Sequence, residues 1–273
     1  MISRKIAIPV LLCLGLLYSC GSEETTETES TDRKVPNEQQ VDRFADIQIL
    51  RYDIEDFDKL SLDQKKLVYY LSEAGLAGRD IIYDQNGPYN LEIRRCLETI
   101  IDKYEGDKTS DDWYHFMTYA KQVWFANGIH HHYGMDKMMP EFSEEYFNTL
   151  TKATGAIISI DAQHVVFKAD RHMKRKVKDP DVDMIEASAN NFYGAGVTQE
   201  MVENFYTELI DTTDLRPIEH GLNSTLILKD GNLYEDVWKS GGKYGKAIDK
   251  ITYWLEKAVG VAENEDQRAA LEK

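Results

Sequence analysis

The 273-residue sequence has only three cysteines, six prolines and 17 glycines. Three cysteines cannot form a disulfide framework, and so little proline and glycine excludes collagen-like and low-complexity architectures. Basic residues are also few, since the sequence has 32 Lys and Arg but 48 Asp and Glu, which gives a formal net charge of −16. Without a basic surface to neutralise phosphates, we expect no nucleic-acid partner. The chain is nevertheless 42% hydrophobic and 11% aromatic, which is enough for a folded core.

The N-terminus has the pattern of an export signal. A basic pair, Arg4 and Lys5, precedes a run of about a dozen apolar residues that ends at Leu17, too short to cross a bilayer as a helix. The letters L-Y-S-C that end at Cys20 resemble a bacterial lipobox. We therefore expect residues 1–19 to be a lipoprotein signal peptide and Cys20 to carry the lipid anchor. A plain secretory peptide that is cleaved nearby is the alternative.

An acidic stretch follows the cysteine. Residues 21–32 read GSEETTETESTD and contain no large apolar side chain, so we expect residues 20–40 to be a disordered tether. Glu23 and Glu24 lie close behind Cys20 and resemble an export signal of surface lipoproteins in Bacteroidetes, although a charged spacer would look the same. The expected location is the cell envelope, with the chain lipid-anchored to the outer membrane or the cell surface.

From residue 41 onwards the pattern predicts one folded region of the α+β class in which helices dominate. Four Ser or Thr residues precede apolar residues at helical spacing, as helix N-caps do: Ser61, Ser110, Ser143 and Thr198. Asp230-Gly231 separates two runs of strand-forming residues and predicts a two-residue hairpin. Two β-branched runs, 156–160 and 164–167, predict short strands. The last helical pattern contains only one apolar cluster before the sequence ends at Lys273. We therefore expect the sequence to be truncated inside a helix.

Common catalytic motifs are absent from the sequence. It contains no H-E-x-x-H, C-x-x-C, G-x-x-x-x-G-K-[ST] or G-x-S-x-G pattern. Residues 241–245 (GGKYG) precede a predicted helix and suggest phosphate binding only weakly, because their spacing is wrong.

The densest polar cluster is residues 128–134, GIHHHYG. On an extended segment His130 and His132 would share one face, but two imidazoles fall short of the three or four ligands of a zinc site. The residues therefore leave three interpretations open: a metal site, the hydrogen-bonding wall of a cleft, or an ordinary loop.

Several stretches closely resemble, in order, the N-terminal portion of bacterial dipeptidyl peptidase III, the zinc exopeptidase family M49. They are residues 44–52 (FADIQILRY), 66–72 (KLVYYLS), 78–81 (GRDI), 84–87 (DQNG), 127–137 (NGIHHHYGMDK), 221–224 (GLNS), 237–239 (VWK) and 253–258 (YWLEKA). The resemblance covers residues 41–273. It implies part of a two-lobed metallopeptidase fold, short peptides as partners, and zinc as the cofactor of the full-length enzyme.

The sequence departs from this family where the chemistry takes place. Family members hold zinc through a His-Glu-x-x-Gly-His helix and a later Glu-bearing motif, and neither is present here. We therefore expect no catalytic residue and no bound zinc in this chain. It would be inactive alone and would need the missing C-terminal zinc-bearing part as its partner. Because the matching segment lines the substrate cleft in relatives, His132, Tyr133 and Gly134 are the candidate substrate-binding residues.

Two other functions stay open at this point. The chain could be a non-catalytic, lipid-anchored lipoprotein that binds peptides. It could also be a small metal-binding lipoprotein that uses His130 and His132.

Overall fold

A computed structural model describes residues 40–273, and the expected signal peptide, Cys20 and the tether up to residue 39 lie outside the described residues. The described part is α+β with helices predominant, as predicted. Two antiparallel hairpins pair β1 (Gln40–Phe44) with β2 (Ile47–Leu50) and β3 (Ser224–Lys229) with β4 (Asn232–Val237). The helices are α1 (Leu62–Ala77), α2 (Arg79–Asn86), α3 (Asn90–Lys103), α4 (Asp111–Ala126), α5 (Glu144–Thr154), α6 (Ile160–Phe167), α7 (Met184–Ala187), α8 (Gln199–Thr207), α9 (Gly245–Val259) and α10 (Glu265–Leu271).

The predicted N-caps begin the helices as expected. The Ser61 hydroxyl accepts a hydrogen bond from the Gln64 backbone N–H, and the Gln64 side chain accepts one from the Ser61 N–H, which forms a capping box. Ser110, Ser143 and Thr198 accept the corresponding bond at the start of α4, α5 and α8. Each such cap contributes about 1 kcal/mol to helix stability.

The two predicted strands at 156–160 and 164–167 are wrong. Residues 156–159 form a connection, and the helix α6 begins at Ile160. The Ser159 hydroxyl caps this helix by accepting from the Ala162 N–H, and Ala162, Val165 and Val166 are buried on one helical face. Helical spacing of the buried residues and a cap outweigh the β-propensity of the same residues.

The main core lies between α3, α4, α5 and α6. Its aromatic centre is Phe142, whose ring contacts the rings of Phe116, Tyr119, Phe147 and Phe167 at centroid distances of 5.5, 5.8, 6.3 and 5.9 Å. Burial of one such large side chain stabilises the fold by roughly 1.5–3 kcal/mol. This core therefore holds α4 and the segment that follows it in fixed positions.

The β1–β2 hairpin, which the sequence did not predict, packs on α4. Lys121 Nζ lies 2.8 Å from Asp42 Oδ2, and the Phe44 ring meets the Phe125 ring edge-on at 6.5 Å. The two-residue turn of the hairpin begins at Ala45, which has a left-handed φ of 46°. The hairpin thus places its turn beside α4.

The C-terminal part contains the predicted Asp-Gly hairpin. Asp230 and Gly231 have φ values of 50° and 78°, as the tight turn between β3 and β4 requires. Helix α9 packs against α1, where the Trp254 ring contacts Tyr69 and Tyr70 at 5.8 and 5.9 Å. None of the helices in residues 40–273 is both long and apolar enough to cross a membrane.

Candidate functional site

The His-rich segment forms a short hairpin-like loop between His130 and Lys137 rather than an extended strand. These two residues make an isolated antiparallel bridge, and inside it the His131 N–H donates to the Asp136 carbonyl at 2.8 Å. The Met135 N–H donates back to the His131 carbonyl at 3.0 Å and closes the turn. The loop therefore has a hydrogen-bonded base and a tip at residues 132–134.

His130 belongs to the base of the loop and is buried. Its side-chain Nε2 lies 2.8 Å from the carbonyl oxygen of His172, so Nε2 carries the proton and donates it. Burial lowers the pKa of His130 to about 4, and the ring is neutral at pH 7. His130 is thus a structural histidine that joins the loop to the segment around residue 172.

His131 organises the tip and connects it to the β1–β2 hairpin. Its Nδ1 accepts hydrogen bonds from the backbone N–H groups of Tyr133 and Gly134 at 3.3 and 3.0 Å. Its Nε2 must then carry the proton, and it lies 3.2 Å from Asp46 Oδ2. The hydrogen bond from His131 is the main reason that the pKa of Asp46 falls below its usual value.

The three predicted site residues, His132, Tyr133 and Gly134, are together at the tip and are exposed. Tyr133 is 86% exposed. The His132 ring is held in place, because it meets the Phe125 ring edge-on at 4.9 Å and the His131 ring at 4.4 Å. We call the exposed rings of Phe125, His132 and Tyr133, together with Gly134, the tip surface. Phe125 was not predicted, because a single exposed aromatic on a helix gives no sequence signal.

Lys137 anchors the other end of the loop. Its ammonium donates to the carbonyls of Val165 at 3.0 Å and Arg171 at 2.7 Å, and also to that of Lys168. These carbonyls lie at and beyond the C-terminus of α6, where a positive charge is favourable. Partial burial lowers the pKa of Lys137. No local pattern indicates this role of Lys137, because the carbonyls come from a distant part of the chain.

The described residues do not fit a zinc site. Within residues 40–273 there is no group of three or more His, Cys, Asp or Glu side chains that could hold a metal ion. His130 Nδ1 is buried with no hydrogen-bond partner in this part of the chain, but no set of further ligands surrounds it. The expectation that His130 and His132 share a face is wrong, because one ring is buried and the other is exposed on a turn. The two histidines therefore do not form a metal site.

The glycine-rich residues 241–245 do not form a phosphate-binding loop. The Lys243 ammonium is turned towards Thr225 Oγ1 at 3.0 Å and Asp84 Oδ2 at 3.6 Å. The Tyr244 hydroxyl donates to the same carboxylate, and burial together with this bond raises the pKa of Tyr244. The lysine that would have met a phosphate is thus part of an internal polar network.

Comparisons with known proteins give distant structural similarity and no match in sequence. No protein-family model matches the chain, and no curated protein matches it. Among solved structures, that of DPP III from Caldithrix abyssi is similar over 81% of this chain, with 17% sequence identity and a TM-score of 0.47. The chain spans 31% of the length of that protein.

Proposed function

We propose that this chain is the peptide-binding, N-terminal part of a lipid-anchored, zinc-dependent dipeptidyl peptidase of the dipeptidyl peptidase III type. The observation that carries the proposal lies in residues 127–137, whose sequence resembles that family closely. In this segment His130, His131 and Lys137 are held by bonds to distant residues, while the tip, residues 132–134, is exposed. A binding loop requires a base that is held in place and a tip that is accessible to the ligand, and this segment has both.

The tip surface suits a peptide ligand. Tyr133 offers an aromatic face and a hydroxyl that can donate or accept a hydrogen bond. His132 is held against Phe125, so little side-chain entropy is lost when a ligand binds. The backbone turn is likewise fixed by the hydrogen bonds that His131 Nδ1 accepts from the N–H groups of Tyr133 and Gly134. The surface can therefore contact an extended peptide without prior rearrangement.

Dipeptide release itself is assigned to the complete enzyme and not to these residues. A metal-activated water is the reagent that zinc supplies in such enzymes. Because the described residues provide no set of metal ligands, we infer that the zinc ligands come from another part of the protein. On this proposal the chain alone binds peptides and does not cleave them, and Cys20 anchors it to the cell envelope.

The same observation favours a second candidate, a non-catalytic lipoprotein that binds peptides. An exposed tip without metal ligands in residues 40–273 would serve such a protein equally well. The two candidates differ in the gene downstream of codon 273. A continuous reading frame that encodes His-Glu-x-x-Gly-His supports the peptidase, and an immediate stop codon supports the lipoprotein.

Peptide binding is tested with the full chain in a mild nonionic detergent. We expect a fluorescently labelled tetrapeptide to bind saturably, and Tyr133→Ala to weaken binding about tenfold. Tyr234→Ala, on the exposed side of β4, is the matched control and should bind like the parent. Absence of saturable binding, or equal binding by Tyr133→Ala, would contradict the proposed function. Dipeptide release by the chain alone would contradict the assignment of catalysis to another part.

A further inference from the structure

The turn at the tip of the loop is held by a side chain. The backbone N–H groups of Tyr133 and Gly134 both donate to His131 Nδ1, at 3.3 and 3.0 Å, and neither has another acceptor within residues 40–273. Gly134 also fits closely between two side chains, because a Cβ added to it would lie 3.3 Å from Asp136 Oδ2 and 3.5 Å from His131 Nδ1. The position of the tip backbone therefore depends on the lone pair of one imidazole nitrogen.

This lone pair is available only while the imidazole ring of His131 is neutral. Histidine side chains gain a proton between about pH 8 and 5, and both ring nitrogens are then donors. The His131 side chain is 29% exposed, so solvent can deliver the proton. A proton on Nδ1 would replace the acceptor of the two backbone N–H groups with a further N–H group. Both hydrogen bonds to the tip would be lost.

Charged groups of both signs surround His131. Asp46 Oδ2, on the β1–β2 turn, lies 3.2 Å from Nε2 and would form an ion pair with a protonated ring. Within the loop are the Asp136 carboxylate, which pairs with Lys174 at 3.2 Å, and the His132 ring, whose centroid is 4.4 Å away. Protonation strengthens the contact at Nε2 and removes the contacts at Nδ1. The ring should therefore stay beside Asp46 while the backbone of the tip moves.

We propose that His131 is the positioning residue of the tip surface and that its protonation controls peptide binding. The neutral ring holds the turn in the conformation that binds a peptide, and the protonated ring releases it. This inference rests on the proposed function, because it concerns the same surface. It means that the chain binds peptides at neutral pH and releases them in mild acid.

Peptide affinity of the full chain at pH 7.5 and pH 5.5, in the same detergent, tests the proposal. His130 has a folded-state pKa of about 4, so it stays neutral at both values and the base of the loop is unchanged. We expect the parent to bind the labelled tetrapeptide roughly five- to tenfold more weakly at pH 5.5, because two hydrogen bonds that hold the tip are lost. The same peptide is used with every variant, so titration of the peptide itself cancels from the comparison.

Two replacements of His131 separate the acceptor from the proton. His131→Asn keeps a side-chain oxygen that can accept from N–H groups two and three residues further on, but it does not titrate. His131→Leu has no acceptor and should bind weakly at both pH values. We expect His131→Asn to bind more tightly than His131→Leu and equally well at both pH values. His132→Gln removes the neighbouring titratable ring and should keep the parent's ratio of the two affinities.

NMR of the peptide-free chain gives an independent measurement. After 15N-glycine labelling, the Gly134 amide is identified as a resonance that is missing from Gly134→Ala. We expect this resonance to shift between pH 7.5 and pH 5.5 in the parent, because its hydrogen bond to His131 Nδ1 is lost. It should not shift in His131→Asn.

Several results would overturn the proposal. They are equal peptide affinity of the parent at both pH values, a pH dependence that persists in His131→Asn or disappears in His132→Gln, and a Gly134 resonance that does not shift in the parent. If no peptide binds at either pH while the Gly134 resonance shifts in the parent and not in His131→Asn, the proposed function fails and the proton-dependent turn stands. The two failures are therefore distinguishable.

Discussion

The Nε2 atom of His131 lies 3.2 Å from the Oδ2 atom of Asp46, and this contact joins residues 85 positions apart in the sequence. It connects the β1–β2 turn to the loop that presents the tip surface. Since Lys121 and Phe125 hold the same hairpin on α4, the hairpin, the helix and the loop support one another. The orientation of the tip therefore depends on residues outside the loop.

Replacement of Asp46 should loosen this connection in a pH-dependent way. Because the folded-state pKa of Asp46 is lowered from 3.8, its contribution to stability is present above pH 3.8 and is lost as the pH falls through the lower folded value. We expect Asp46→Asn to cost less than about 1 kcal/mol at pH 7, since the carboxylate is exposed. Urea unfolding at pH 7 and pH 3 should show the difference between variant and parent shrinking at the lower pH. Asp53→Asn is the exposed control, and a loss that does not change with pH would contradict the prediction.

His130 should make the fold sensitive to mild acid. Its folded-state pKa is lowered from 6.5 to about 4, so between these values the unfolded chain binds more protons than the folded chain. Stability should therefore fall as the pH drops from about 6.5 to 4, by up to roughly 3 kcal/mol. His130→Gln keeps a donor for the His172 carbonyl but cannot titrate, so urea unfolding across this range should give a flatter profile. His132→Gln removes an exposed imidazole and should keep the slope of the parent; equal slopes in all three proteins would refute the assignment.

Lys137 should be the lysine in this region on which stability depends most. Lys137→Met keeps much of the apolar stem but removes the ammonium that meets three carbonyls, and we expect a loss of about 2 kcal/mol in the free energy of unfolding. Lys168→Met removes a half-exposed pair with Glu144 and should cost about 1 kcal/mol or less. Chemical denaturation of both variants measures the contrast. Comparable losses would show that the contacts of Lys137 with the three carbonyls stabilise the fold no more than the surface pair of Lys168 does.

Phe142 should be essential to the aromatic core. We expect Phe142→Ala to destabilise the fold by about 3–5 kcal/mol, because a cavity would remain where its ring now contacts five others. Phe57→Ala, at a partly exposed position before α1, should cost about 1 kcal/mol or less. Thermal and urea unfolding test both variants, and a small effect at Phe142 would mean that the core relaxes to fill the space.

Local sequence chemistry predicted much of the fold. The caps at Ser61, Ser110 and Ser143 act within three residues, and the Asp-Gly turn needs only two, so each is visible in a short stretch of sequence. The β1–β2 hairpin was missed because its turn begins at Ala45, a residue that rarely adopts a left-handed conformation. Its stability comes from packing on α4, which no local pattern records.

The candidate site, too, was predictable from the sequence only in part. The residue types of the GIHHHYG segment marked it as the densest polar cluster but left a metal site, a cleft wall and an ordinary loop open, and the structure places His132, Tyr133 and Gly134 together at an exposed tip. The distinct roles of the three histidines could not be predicted. His130 is defined by a carbonyl 42 residues away and His131 by a carboxylate 85 residues away.

The sequence by itself determined where four of the ten described helices begin and where one hairpin turns, because capping and turn chemistry act between near neighbours. Only the tertiary structure decided that residues 160–167 form a helix, that His130 is buried while His132 is exposed, and that the His131 side chain pairs with Asp46. Burial and long-range hydrogen bonds decide these features, and they exist only once distant segments pack together.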